Sequence, residues 1–500
     1  MSRSIFSLRG ILTRHPVPVG VLGTFLLSLV LRLLFLEASM DRNWPFSIFF
    51  YGDSRFFHTY ALAWARGRPA QVSLPYHPPL FPGCLGLLYQ LLGEPRGSAW
   101  PYKVSLALLN SATVAFTWWW WRRVLGTGWS LWAAVLFSAS FGWLVLSTTY
   151  SNEVLYVLFL SATCWLVFEH RSGPRWWAAV LLGGVMGLGA LTRAEHLHLW
   201  PFVLLYVWLH RDRQAALGPQ LARWAGAVGV SLLVLAPWAL HNARVLQELN
   251  ARTPGLEPLP VLAPVTVYGP INFAMANHAG ATGGFTPDLI NRLGQDGHLD
   301  AANPAQRHLL LHGYTEGLRW MGEHPADAAR LLAAKLGRWL DGLSLGWGVS
   351  NLPSGLSGTR EPVDVFVPER TWLKGPLALL LLLGAGLSCL APYRSYSLFT
   401  LVLLHRALIT LAFFGYTRGM LVVFPALVPL LLLPVKALAS SRPTLATRLP
   451  VLASCALLLL WLEAGMLALR GPRDFMASGS TDRVSGKLIQ DDQVRLWPKR

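Results

Sequence analysis

Runs of apolar residues long enough to cross a bilayer recur along nearly the whole chain, and they limit its architecture more than any other feature. A helix rises ~1.5 Å per residue, so about 20 apolar residues span the hydrocarbon core. The stretch Val17–Leu36 meets that length. Similar stretches run over Val104–Trp121, Leu131–Ser147, Val154–Phe168, Trp177–Leu191, Leu197–Leu209 and Trp224–Leu240. More follow over Pro376–Leu390, Ser397–Gly415, Leu421–Val435 and Leu452–Leu469. The expected fold is an all-α polytopic membrane protein with about eleven transmembrane helices.

Basic residues give these helices a direction. Arg3, Arg9 and Arg14 precede the first run, and Arg122, Arg123, Arg171, Arg175, Arg211, Arg213, Arg394 and Lys436 occupy alternate loops. The intervening short turns hold almost no Arg or Lys beyond Arg193 and Arg418. Cytoplasmic loops are the ones enriched in Lys and Arg, which places the N-terminus in the cytoplasm. The chain is 53% hydrophobic and 13% charged, so its net charge of +17 serves topology and gives no reason to expect a nucleic-acid partner. Trp118–Trp121, just before Arg122, are expected as an aromatic belt at the cytoplasmic interface. The first apolar run lacks a small-residue cleavage site and is expected to be a signal anchor. Cys84, Cys164, Cys389 and Cys455 have no metal-ligand spacing and fit lipid-facing or core packing.

The spans divide the chain into an N-terminal membrane module, 1–240, whose first outer loop covers 37–103, a polar extracytoplasmic cap, 241–373, C-terminal membrane helices, 374–469, and an outer tail, 470–500. Within the first outer loop stand Tyr51-Gly52-Asp53-Ser54-Arg55 and, further on, Tyr76-His77-Pro78-Pro79-Leu80-Phe81-Pro82. Phe56–Arg66 and Leu80–Leu92 have the pattern of helices lying along the membrane surface. Asp53 therefore emerges at the membrane face with surface helices behind it, as suits an enzyme acting on a substrate anchored in lipid. In the cap, the Gly- and Asn-rich run Asn272–Gly284 is expected to avoid regular helix. Leu309–Gly322 and Ala326–Leu340 carry helical periodicity, broken at His324-Pro325.

Taken in order, the outer-loop Asp, the downstream His-Pro-Pro-Leu, Ser151-Asn152-Glu153 opening a span and Leu191-Thr192-Arg193-Ala194-Glu195 resemble the GT-C glycosyltransferases. Ala236-Pro237-Trp238-Ala239-Leu240-His241-Asn242, the Asn272–Gly284 run and Arg418 ahead of Phe424-Pro425 extend the likeness over roughly 17–435. It is closest to the bacterial family-39-like branch, with its protein O-mannosyltransferases and lipid A aminoarabinose transferases. The resemblance implies a GT-C-type bundle with amphipathic surface helices and a mixed periplasmic cap, multi-pass in the cell inner (plasma) membrane. It implies an enzyme that moves a hexosyl or pentosyl group from a polyprenyl-phosphate-sugar donor to a lipid, glycan or protein acceptor on the non-cytoplasmic face, usually with inversion. The competing class is a non-catalytic lipid-linked sugar transporter or a polysaccharide polymerase. A transporter would carry inverted repeats and midplane charges, whereas here the candidate charges cluster at span ends.

Each candidate role has a plainer alternative. Asp53 is the expected general base, or else an ordinary loop aspartate. Glu153 is a second catalytic candidate, or an acid that stabilises a helix N-terminus. Arg418 is expected on the donor phosphate, or as an interfacial snorkelling arginine. Arg193 is expected there too, or paired internally with Glu195. Lys335, on one helix face with Arg338, is a third phosphate candidate or part of a solvated basic face. His77, Asn152, Asn272 and His58 are candidate substrate contacts, His77 and Asn272 equally suiting structural or capping roles. Family relatives often carry a second acid directly after the first Asp. Ser54 stands there in this chain, so a divalent metal remains open without an acidic pair to hold it.

Overall fold

The computed structural model describes residues 16–38, 53–67, 75–95, 99–285, 289, 299–344, 371–416, 418–440 and 451–460. Arg3, Arg9, Arg14, Tyr51, Gly52, the 470–500 tail and the end of the final expected span lie outside these residues, as do parts of the cap.

Helices form where the apolar runs predict them, at Pro16–Ala38, Trp100–Leu125, Glu153–His170, Trp176–Thr192, Leu217–Arg252, Lys374–Ser388, Ser397–Ala412 and Phe424–Ala439. Among the described residues four helical stretches are long and apolar enough to cross a membrane: Val17–Glu37, Glu153–His170, Leu217–Arg252 and Ala391–Ala412. No strand occurs among the described residues. The expected Leu131–Ser147 span is two helices, Thr127–Ala139 and Phe141–Leu146. The boundary drawn at 240 marks a change of composition and not of path, because one helix continues from Leu217 to Arg252 through Pro237.

The arginine-bearing loops collect at one end of the bundle. There Arg123 pairs with Glu169, Arg394 donates to Leu209 O at 2.8 Å, and Lys436 donates to Val124 O at 3.3 Å. The tryptophan run behaves differently from its expectation as a belt. Trp118, Trp120 and Trp121 are buried in the main core. Two of the ring nitrogens explain part of this: Trp120 donates to Ser161 Oγ at 2.9 Å and Trp121 to Pro425 O at 3.1 Å, so packing inside the bundle satisfies these two. Glycines let two long helices approach closely. A Cβ on Gly183 would collide with Ala227 O, and one on Gly187 would stand 2.7 Å from Val234 Cβ.

At the other end lie the surface helices and the cap. The Asp53–Ala65 and Leu80–Leu92 helices share an apolar cluster in which Phe57, Ala61, Phe81, Leu85 and Tyr89 meet Tyr150, Val154 and Leu155. That cluster fixes the start of the first surface helix against the start of the Glu153–His170 helix. The cap is tied down by polar side chains. Asn242 donates to Ala263 O and Val265 O at 2.8 and 3.1 Å, and Trp238 donates to Val265 O at 2.8 Å. Tyr76 donates to Leu299 O at 2.7 Å, and its ring meets Tyr268 edge-on. The Asn272–Gly284 run is partly helical, because Gly269–Ala276 forms a helix with Pro270 in its first turn, where no amide partner is needed. The irregular backbone begins only at Asn277. Beyond it, Pro304–Glu323 and Pro325–Ser344 are helices separated at His324-Pro325. Asn303 caps the former by accepting from the Ala305 and Gln306 amides.

Candidate active site

Four segments far apart in sequence bring charges together at the cap end. Asp53 is the first residue of its surface helix, where the positive helix terminus favours a carboxylate. Its side chain is 42% exposed, and its oxygens face His77 Nε2 at 3.9 Å and Arg418 Nη2 at 3.5 Å. Arg418 turns its other amino group to Glu153 Oε1, 3.6 Å away. The same Glu153 oxygen receives Arg193 Nη1 at 2.5 Å, and Ser151 Oγ donates to the second oxygen. Arg193 also donates to Asn152 Oδ1 at 3.2 Å and to Glu195 Oε1 at 3.0 Å. Asn152 closes this group by donating to Thr192 O at 3.1 Å. Tyr156 and Tyr416 place ring faces against Arg193 and Arg418 at 5.6 and 5.1 Å.

The alternation of sign governs ionisation here. Burial pushes the Asp53 carboxyl up, but His77, Arg418 and Arg193 together hold it below its ordinary value of 3.8. Burial also lowers His77 below 6.5, Asp53 pulling it up and Arg418 pushing it down, so the ring is neutral at physiological pH. Asp53 is then an ionised carboxylate at working pH, partly open to an incoming hydroxyl group. The carboxylate contacts of Arg418 are longer than those of Arg193.

The expected residues separate into two sets. Asp53, His77, Asn152, Glu153, Arg193 and Arg418 converge. Lys335 does not join them: it is fully buried, and its ammonium donates to Asn277 Oδ1 at 2.7 Å and Leu411 O at 3.0 Å. His58 is buried against Tyr89, with 2.7 Å between its Nδ1 and the hydroxyl, and burial lowers it to about 4. Asn272 is half-buried on the Gly269–Ala276 helix, one turn beyond Tyr268.

Two members of the cluster were hidden in the sequence. Glu195 accepts Arg406 Nη1 at 2.6 Å, and His405 Nε2 lies 3.2 Å from the Glu195 carbonyl. His405-Arg406 falls inside an apolar span, and ionisable residues within a span are the usual mark of function. The donor set suits a metal poorly. Arg418 already stands between Asp53 and Glu153 where a cation would sit, and no group of three metal-ligating side chains occurs among the described residues.

Residues 76–241 match the family described as Dolichyl-phosphate-mannose-protein mannosyltransferase. The structure superposes on the archaeal oligosaccharyltransferase AglB from Archaeoglobus fulgidus, in complex with an inhibitory peptide and a dolichol-phosphate, with a TM-score of 0.51 and 14% identity over 98% of this chain. A second structure of the Archaeoglobus fulgidus oligosaccharyltransferase, tethered to an acceptor peptide, gives a TM-score of 0.52 and 12% identity over 98% of this chain. The chain spans 60% of the length of each of these two proteins. ArnT from Cupriavidus metallidurans bound to undecaprenyl phosphate aligns over 83% of this chain and 78% of its own, with 14% identity and a TM-score of 0.38, too loose a superposition to carry weight. No curated protein matches the chain. The fold is that of the GT-C membrane transferases.

Proposed function

We propose that this GT-C protein is a membrane glycosyltransferase that moves a sugar from a polyprenyl-phosphate donor to an acceptor hydroxyl. The observation that supports this reading best is the meeting of Asp53, Glu153, Arg193 and Arg418 at one end of the bundle. A carboxylate open to a hydroxyl and a guanidinium to stabilise the departing phosphate are the two groups that such a transfer needs.

In this account Asp53 accepts the proton of the acceptor hydroxyl as its oxygen bonds to C1 of the sugar. The bond from C1 to the phosphate oxygen breaks, and polyprenyl phosphate leaves with the electron pair. Arg418 stabilises the charge growing on that phosphate, with Arg193 behind it. Protonation of Asp53 removes one of the two negative charges that hold Arg418, so base and anion site are coupled: proton uptake releases the guanidinium as the leaving group needs it. Glu153 keeps both arginines oriented from the opposite side. Residues 1–240, together with Arg418 from the C-terminal helices, would carry this chemistry, and the cap over 241–373 would select the acceptor, whether lipid, glycan or protein.

The site then faces the non-cytoplasmic side of the inner membrane, with the N-terminus in the cytoplasm. A cysteine introduced at Gly280 should react with an impermeant reagent from outside, and one at Gly218 should not. The reverse pattern would remove this site from the face where the donor is presented. The activity itself is tested by mass-spectrometric comparison of cell-envelope glycolipids and glycans with and without the protein. A sugar modification that disappears with the protein and returns with the wild-type chain but not with Asp53→Asn is expected; an unchanged envelope would count against the reading.

A further inference from the structure

We infer that Arg406 is a positioning residue for both phosphate-facing arginines, holding Arg193 through Glu195 and Arg418 through the close approach of Gly419; this rests on the transferase reading above. The Arg406 side chain is 3% exposed and lies within the apolar Ser397–Ala412 helix. A permanent charge is rarely placed in such a helix without use. Its Nη1 donates to Glu195 Oε1 at 2.6 Å, and Arg193 Nε donates to the same oxygen at 3.0 Å. One carboxylate oxygen thus joins the buried guanidinium to the one that grips Glu153.

The second connection is steric. A Cβ added at Gly419 would stand 2.6 Å from Arg406 Nη2 and 3.1 Å from its Nε. Gly419 directly follows Arg418 in the short Arg418–Leu421 turn, so the Arg406 fork forms the floor under the backbone that carries Arg418. Arg406 Nε is buried without a hydrogen-bond partner among the described residues. An anchor that served only to join two helices would not need to leave a donor unsatisfied. The guanidinium is placed to meet Glu195 and the Arg418 turn at the same time, and that placement fixes the spacing of the two arginines facing the donor.

The planar fork matters as well as the charge. A lysine at 406 can reach Glu195 with a point charge but cannot also present a flat edge to Gly419. Misplacement of a substrate-orienting group by about 1 Å can cost on the order of a hundred-fold.

The test uses the full chain in proteoliposomes with a polyprenyl-phosphate-sugar donor and measures kcat and donor KM separately. Arg406→Gln and Arg406→Lys should each raise donor KM between about ten- and a hundred-fold, with acceptor KM little changed. Gly419→Ala should raise donor KM in the same direction, because the new methyl pushes against the clamped guanidinium. The double variant Arg406→Gln/Gly419→Ala should be no worse than Arg406→Gln alone, since the group that the methyl displaces is gone. Additive losses, or a fall in kcat at unchanged donor KM, would overturn the inference. If Arg406→Gln fails to fold, Gly419→Ala and Arg406→Lys still decide the matter. Binding of polyprenyl phosphate by native mass spectrometry separates the two claims. A wild-type protein that neither transfers nor binds this lipid sinks both, whereas a working wild type with an Arg406→Gln variant of normal donor affinity sinks only this one.

Discussion

Arg418 and Lys335 are both cations held near the cap end, but their surroundings differ in kind. Arg418 lies between the carboxylates of Asp53 and Glu153, with 18% of its side chain exposed. Lys335 is sealed in the seam between the Pro325–Ser344 helix and the end of the Ser397–Ala412 helix, and its acceptors Asn277 Oδ1 and Leu411 O are neutral. Burial consequently lowers the Lys335 ammonium to about 7 from 10.5. Carboxylates let Arg418 keep its charge, and in the proposed reaction it would turn from one of them towards the donor phosphate. Neutral acceptors pin Lys335 in place and leave it nothing to exchange. The first arrangement suits chemistry, and the second suits attachment of the cap to the membrane helices.

If the comparison holds, changes in the first region should affect transfer, and changes in the second should affect stability. The largest effect is expected at Asp53. Asp53→Asn keeps the size of the side chain but cannot take a proton, so transfer should fall by ~10²–10⁴-fold with the thermal unfolding midpoint little altered. Because the Asp53 carboxyl is held below 3.8, wild-type activity should stay level through neutral and mildly acidic pH. It should decline only as pH falls through that depressed value and the carboxylate protonates. An acid limb near neutrality would point to another base, and Glu153 would be the next residue to examine.

Arg418→Ala comes second. Hydrogen bonds to charged groups contribute roughly 1.5–3 kcal/mol, so donor use should weaken by about ten- to a hundred-fold, and Arg418→Lys should recover part of the loss. Donor kinetics unchanged in Arg418→Ala would make this residue an interfacial anchor and erase its contrast with Lys335.

The smallest effect on transfer is expected from Lys335→Met, within about three-fold; its signature belongs to stability, where an unpaired buried partner costs on the order of 1–3 kcal/mol. The folded-state value of Lys335 lies below its unfolded value, so the folded protein holds fewer protons between about 7 and 10.5. Wild-type stability should therefore rise with pH across that window and be flat with respect to this residue below it. Lys335→Met should remove the rise, as read by thermal unfolding in detergent at a series of pH values. A rise that survives the substitution would assign the titration to another group.

The same contrast explains what could be read in the sequence. Span ends are set by where hydropathy changes, so Asp53, Asn152, Glu153, Arg193 and Arg418 could be placed at one face from their positions alone. Their convergence follows from that placement together with apolar residues such as Phe57, Phe81 and Val154, which draw the surface helices onto the bundle. Hydropathy does not give the rotation of a helix about its axis. Trp118, Trp120 and Trp121 consequently looked like an interfacial belt and are core residues, and Lys335 looked like a phosphate ligand and is a sealed attachment. Arg406 escaped notice because the apolar residues around it outweigh one charge in any window average. The signal that marks it is the ionisable pair His405-Arg406 inside a span.

The most direct measurement of the central claim follows the donor itself. Purified protein in proteoliposomes would be given a labelled polyprenyl-phosphate-sugar together with a membrane extract as the source of acceptor. Release of polyprenyl phosphate should match sugar transfer one for one, and both should be lost with Asp53→Asn. Equal release by the wild-type and Asp53→Asn proteins, or transfer without polyprenyl phosphate appearing, would contradict the assignment of this site.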